Sequence, residues 1–180
     1  MVVILLTKCY YYIYNSIAII NIIGADSMTC TFAGHSKLNG ELSSQTLLSA
    51  LEVLIQSDCT FIFYTGGMGD FDRMGAAAVR QLKTAYPEKR IDLILVLPYQ
   101  TRQLQYDRDY LYTQYDDIII PVELLSIHPK AAILKRNYWM IDHSDILLSY
   151  ISHNWGGAYK SKQYAQKKNI SIIELSKQSI

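Results

Sequence analysis

The chain predicts an α/β protein: a Rossmann-like three-layer sandwich with a mostly parallel sheet. Three observations carry that expectation. Short β-rich runs alternate with helix-like runs at crossover spacing, the pattern of parallel strands joined by helices packed on both faces of a sheet. Ile91 to Leu97 is a nearly continuous apolar run closed by Pro98, as in a central strand covered on both sides. Glycine-bearing turns at Gly34, Gly66 and Gly156 each come just after a strand-like run, so they share the rim beyond the carboxyl ends, where such sheets bind ligands.

Thr29 to Ala33 is a strand ending at Gly34-His35-Ser36, and a polar turn through Asn39-Gly40 leads to Ser43. Ser43 or Ser44 caps a helix whose Leu47, Leu48, Leu51, Val53, Leu54 and Ile55 form one broad apolar face. Phe61 to Tyr64 is strand, and Arg73 to Ala85 is a helix in which Gly75-Ala76-Ala77-Ala78 permits close packing on the sheet. Pro87 ends that helix. After the Ile91 strand, Tyr99, Tyr106, Tyr110, Tyr112 and Tyr115 mark a polar segment, read either as an aromatic wall for a base or as the half-buried face of a short helix. Ile118 to Ile120 is a strand closed by Pro121, and Pro129 opens a helix that runs to about His143. Ile146 to Ile151 is strand, Tyr159 to Lys168 helix, and Ile170 to Leu175 the last strand.

At 180 residues, half of them hydrophobic, the chain has length for one domain and one core. The net charge of +1, from 17 basic and 16 acidic side chains, gives no overall attraction to nucleic acid or an anionic membrane, which sets both aside as partners while leaving a local basic patch open. Lys160, Lys162, Lys167 and Lys168 read as the solvated face of the last helix. Cys9, Cys30 and Cys59 have neither disulfide nor zinc spacing, so no metal or cofactor is expected, and a reducing, cytoplasmic setting fits. Residues 1–27 are apolar but interrupted by Lys8, Asn15 and Asn21. They read as a membrane anchor or, preferably, as an extension before Met28, with the fold occupying 28–180 as a single domain.

Two turns carry the chemistry. Trp155-Gly156-Gly157-Ala158 joins a strand to a helix, so that backbone amides and the positive end of a helix dipole meet at a spot suited to phosphate. Gly66-Gly67-Met68-Gly69 precedes Asp70-Phe71-Asp72 in the same way. It lacks the Lys-Ser/Thr of a P-loop and the spacing of a dinucleotide fingerprint, which argues against an NTPase and a standard dinucleotide oxidoreductase. Asp70 reads as a helix cap; Asp72 reads as a cap or as a partner for ribose hydroxyls. Arg136, with Asn137 beside it, can grip a phosphate through its planar fork, or can lie on a solvated helix face. His35 reads as a ligand contact or a turn cap, and Trp155, flanked by His153, as a base-stacking ring or lid packing.

Thr29-Cys30-Thr31-Phe32-Ala33-Gly34-His35, the Gly66 to Asp72 turn, Val96-Leu97-Pro98-Tyr99, Arg136-Asn137 with Trp139-Met140, and His153 with Trp155-Gly156-Gly157-Ala158 together resemble the YpsA-like branch of the SLOG superfamily. That superfamily includes DprA-type DNA-processing proteins and LOG-type phosphoribohydrolases. The resemblance, over about Thr29 to Leu175, implies a Rossmannoid domain that binds a nucleotide or nucleotide derivative through its glycine-rich turns. In LOG enzymes a helix arginine and a glutamate after the last glycine motif are associated with catalysis. Arg136 matches the arginine, but Lys160, Ser161, Lys162 and Gln163 stand where the glutamate is expected. N-glycoside cleavage needs a carboxylate to stabilise positive charge or activate water, and Asp72 and Asp142 are the alternatives. The expected function is therefore binding, as a sensor or sequestering module. A nucleoside 5′-monophosphate N-glycosidase with catalytic Arg136 is the alternative, and DprA-like single-stranded DNA binding the third reading. A homodimer is expected by analogy with related folds.

Overall fold

The computed structural model describes residues 27–38, 40, 42–57 and 59–175. The apolar extension at 1–26, Cys9 and Asn39 lie outside them. Among the described residues six strands form one sheet: β1 (Ser27–Gly34), β2 (Thr60–Thr65), β3 (Ile91–Val96), β4 (Asp117–Ile119), β5 (Ile146–Tyr150) and β6 (Ser171–Glu174). Their order is β4-β3-β2-β1-β5-β6, and every neighbouring pair is parallel. The helices are α1 (Ser44–Leu54), α2 (Asp70–Ala85), α3 (Arg102–Tyr106), α4 (Arg108–Gln114), α5 (Pro129–Asp142) and α6 (Gly156–Lys168), with a 3-10 turn at Val122–Leu124. The expected Rossmann-like α/β fold is the observed one.

Alternation of side chains along β1 divides the core. Met28, Cys30 and Phe32 face the larger cluster, with Phe61, Phe63, Leu93, Ile146 and Leu148 of the neighbouring strands and Leu47, Leu51, Val79 and Leu82 of α1 and α2. Ala33 turns the other way, toward Leu147, Ile141 of α5 and Ala165 of α6. Phe32 sits between Phe63 and Phe71, with ring centroids 6.2 and 6.3 Å away. Gly75 lets α2 close on that ring, since a Cβ there would stand 2.9 Å from it. Burial pushes the Cys30 thiol up to about 12, which makes it an inert core filler.

Several boundaries differ from those expected in a way that matters for the site. Ser43, not Ser44, caps α1, its hydroxyl accepting from the Thr46 amide at 3.1 Å. Strand β1 already includes Ser27, paired with Thr60. Helix α2 begins at Asp70 rather than Arg73, and α6 at Gly156 rather than Tyr159, so Gly69 caps the first and the Gly156-Gly157 pair opens the second. The tyrosine-rich segment folds into α3 and α4, which bury Leu111, not the tyrosines. Tyr106 and Tyr110 are 75% and 60% exposed, so neither an aromatic wall nor a half-buried stripe forms, and Tyr115 alone packs against the core. No described helix is long and apolar enough to cross a membrane.

The chain runs outward from β1 through β2 and β3 to β4, then returns past β1 to β5 and β6. Strand order thus reverses between β1 and β5, and the turns leaving those two strands part and open a crevice. Gly34 closes β1 opposite Tyr150 of β5 and lies under Phe71, whose side-chain atoms stand 2.2 to 2.5 Å from where a Cβ would be. Gly34→Ala is expected to lower unfolding free energy by about 1–3 kcal/mol through overpacking, seen as a lower urea midpoint with unchanged slope.

Candidate functional site: a cleft where strand order reverses

A cleft of about 570 Å³ lies at this reversal. Its walls come from the turn after β1 (Gly34, His35, Ser36, Lys37), the start of α2 (Met68, Gly69, Asp72), α5 (Ile133, Arg136, Asn137) and the β5–α6 turn (His153, Trp155, Gly156, Gly157, Ala158) with Ser161. Most of the residues singled out in the sequence therefore converge. Gly66 and Gly67 do not line it. The Gly66 Cβ position is filled by the Arg136 guanidinium, 2.1 Å away, and Gly67 faces Leu95 and the Tyr115 hydroxyl.

The two helix starts have opposite character. At α2, the Met68 amide donates to Asp72 Oδ2 at 3.1 Å, the Gly67 amide to Thr65 Oγ1 at 3.3 Å and the Asp70 amide to the Ser36 carbonyl at 2.9 Å. Asp70 and Asp72 also place two carboxylates in the first turn. The expectation that this turn offers its amides to a phosphate is thereby corrected at Gly67 and Met68, whose amides protein acceptors hold, and each carboxylate has its own guanidinium nearby, Arg73 at 2.6 Å from Asp70 and Arg136 beside Asp72. At α6, Trp155 occupies the cap position in extended conformation without a side-chain cap, and the first turn has no acid. Helix geometry leaves the amides of Gly156, Gly157 and Ala158 without intrahelical acceptors, at the cleft wall. Gly156 has φ +89°, a conformation suited to glycine, and nothing lies within 4 Å of a Cβ built on Gly157. A ligand can approach that backbone closely.

Arg136 is the largest correction. It is 1% exposed, and its Nη1 donates to the carbonyls of Gly66 at 2.7 Å and Val96 at 2.9 Å, while Nε donates to Asn137 Oδ1 at 2.9 Å. The fork expected to grip a phosphate is turned into the protein, where it holds the ends of β2 and β3. Asn137 is equally engaged: its Nδ2 donates to Ser161 Oγ at 3.5 Å, and that hydroxyl donates to the Gly157 carbonyl at 2.9 Å. This relay fixes the first turn of α6 relative to α5.

Asp72 is buried beside Arg136, and burial pushes its carboxyl up to about 6; the Arg136 charge and the Met68 amide oppose that rise without cancelling it. Burial likewise lowers the pKa of Arg136, with the Asp72 carboxylate acting against the shift. Asp142, the other candidate carboxylate, accepts from the Tyr164 hydroxyl and pairs with Lys168 at 2.6 Å, outside the cleft. Lys162 reaches Glu174 at 2.5 Å. Among the described residues no group of three His, Cys, Asp or Glu side chains could hold a metal ion.

His35 Nε2 accepts from the Ser152 amide at 2.9 Å, which ties the turn after β1 to the turn after β5 and puts the ring proton on Nδ1. Its ring stacks on His153 at 3.6 Å, and His153 stacks on Trp155 at 4.0 Å. Lys37, Ser36, Ile133 and Ser161 are lining residues that sequence reasoning missed. Lys37 was detectable, because a short turn after β1 brings it to the same rim as Gly34. Ile133 is an apolar residue of α5 that is 42% exposed on the cleft wall.

The buried pair can be tested in two ways. Arg136→Ala strands two carbonyls and one carboxylate, so a loss of roughly 3–5 kcal/mol is expected in chemical denaturation, with Arg136→Lys recovering only part. Because the native state binds the Asp72 proton more tightly than the unfolded chain, whose ordinary carboxyl value is 3.8, Asp72 favours folding at low pH and loses that contribution as pH rises toward 6. The stability of the wild type relative to Asp72→Asn is expected to fall by roughly 2–3 kcal/mol between pH 4 and pH 7.

No protein-family model matches the chain, and no curated protein matches it in sequence. Among solved structures, it resembles DNA processing protein A from Helicobacter pylori, whose single-stranded DNA binding mode has been studied, at 17% identity and a TM-score of 0.56, over 84% of this chain and 66% of that one. The same protein from Streptococcus pneumoniae matches at 11% identity and a TM-score of 0.43, over 81% of this chain and 58% of that one. The chain thus spans less than two thirds of either protein. At this identity the first likeness establishes the fold, and the chain shares the Rossmann-like architecture of DNA processing protein A. The expectation that sets nucleic acid aside stands in conflict with the ligand of this structural neighbour, which is single-stranded DNA.

Proposed function

We propose that the cleft between β1 and β5 binds the phosphate of a nucleotide or nucleotide-derived small molecule, as a sensing or sequestering module of the SLOG type. One observation carries the reading: the start of α6 is uncapped and free of acids, and it opens through two glycines into a cleft that Lys37 also lines. Oriented amides and a helix dipole favour an anion there, and an exposed ammonium adds charge on a flexible stem. Arg136 and Asn137 support the site from behind by fixing its walls.

The fold likeness supports single-stranded DNA as a second reading, in which the same phosphate belongs to a strand. The N-glycosidase reading has less support. Lysines occupy the window after the glycine pair, and among the described residues Asp72 is the one carboxylate lining the cleft, already accepting from Met68.

Gly157→Asp provides the test. The position has room for a side chain, and an acid in the first turn of a helix favours folding, so the melting temperature should hold or rise. Calorimetry with AMP and ADP-ribose is expected to give submillimolar binding that Gly157→Asp abolishes and Lys37→Ala weakens several-fold. An oligothymidylate control with steep salt dependence would assign the site to DNA instead. Absence of binding by all three, or binding indifferent to Gly157→Asp, would overturn the reading.

A further inference from the structure

We propose that Trp155 is a stacking platform for a flat heteroaromatic ring, so that the cleft selects phosphate ligands carrying a nucleobase over phosphate esters without one. The inference rests on the phosphate reading above and adds the class of group bound beside the phosphate.

Trp155 lines the cleft yet is 67% exposed, an unusual position for the largest apolar side chain. It is not loose. One face lies on His153 at 4.0 Å and 16°, and His153 lies on His35 at 3.6 Å and 24°. The base of the column is anchored by the Ser152 amide on His35 Nε2, and its middle by the 3.1 Å contact between His153 Nδ1 and the Trp155 carbonyl. Three nearly parallel rings therefore end in an indole whose exposure leaves room for a fourth. A tryptophan serving only as a lid over the core would rest on aliphatic side chains, whereas this one rests on imidazoles.

Position in the chain supplies the second half of the argument. Trp155 immediately precedes Gly156 and Gly157, the residues whose amides form the anion-binding turn. A ring on the indole and a phosphate on that turn are separated by one residue, a span suited to the two ends of a single nucleotide. Met68 and Ile133, both exposed and both on the cleft wall, add apolar surface. None of the exposed tyrosines of α3 and α4 lines the cleft, so they do not compete for this role. Base-on-aromatic stacking tolerates any base because each has a π-face, and a purine covers more of an indole than a pyrimidine does. A free nucleotide and a base within a single strand present the same chemistry.

Calorimetry on the full chain with ribose 5-phosphate, AMP, UMP and a short oligodeoxyadenylate tests this. AMP is expected to bind roughly 5-fold or more tighter than ribose 5-phosphate, with UMP between them. Trp155→Ala should bring the AMP to ribose 5-phosphate ratio near one by weakening AMP, and Trp155→Phe should restore most of the ratio. AMP should quench indole fluorescence in the wild type and not in Trp155→Phe, where Trp139 is the remaining tryptophan. If ribose 5-phosphate binds and AMP binds no tighter, or if the ratio survives Trp155→Ala, the platform is overturned and the phosphate site stands. If neither binds, both fall. Tighter, salt-sensitive binding of the oligodeoxyadenylate, lost in Trp155→Ala, would place the stacked base in a strand; binding no tighter than AMP would place it in a free nucleotide.

Discussion

The cleft depends on one buried cation. Arg136 reaches from α5 beneath the rim and joins the carbonyl just past β2 to the one that ends β3. Both carbonyls accept from its Nη1, and a guanidinium can satisfy the two from one side while remaining charged. Its arrival dictates other residues. Gly66 has no Cβ because the guanidinium lies where one would stand, Asn137 turns back to satisfy Nε, and Asp72 is retained as a partial counter-charge despite its burial. The walls of the cleft are therefore consequences of how one arginine is solvated by protein.

That arrangement shifts the ligand's charge partner. With Arg136 Nη1 committed to two carbonyls and the Gly67, Met68 and Asp70 amides held by protein acceptors, the acid-free start of α6 is the better place for an anion. Two glycine-rich turns that look alike in sequence lead into first turns of different character, one with two acids and one with none. Their downstream neighbours set them apart: Asp70 and Asp72 after the first turn, and alanine, tyrosine and lysine after the second.

The architecture was legible in the sequence because it depends on periodicity. Alternation in β1, the apolar run of β3 and the helix spacing of α1 all survive in the folded chain, with element ends displaced by at most three residues. The position of the cleft was legible too, since the glycines past β1 and β5 mark the rim whatever the side chains do. What sequence could not supply was direction. Arg136 lies on a helix of mixed polarity, where an inward guanidinium and an outward one have the same spacing; only the three-dimensional placement of the Gly66 and Val96 carbonyls decides between them. The tyrosines failed for the converse reason. Their density suggested a shared face, whereas two very short helices bury a single leucine and leave the rings in solvent.

Among the described residues the sheet ends in strands of three and four residues, β4 and β6, and the carboxylate of Asp117 folds back onto the amide of Ile118 at 2.7 Å. Short margins of this kind give an incoming backbone little to zip onto, and a side chain that occupies a border amide removes one more foothold. Polymerisation by adding strands side by side is thereby discouraged by the shape of the rim itself, and any partner chain would find broader purchase on the helical layers.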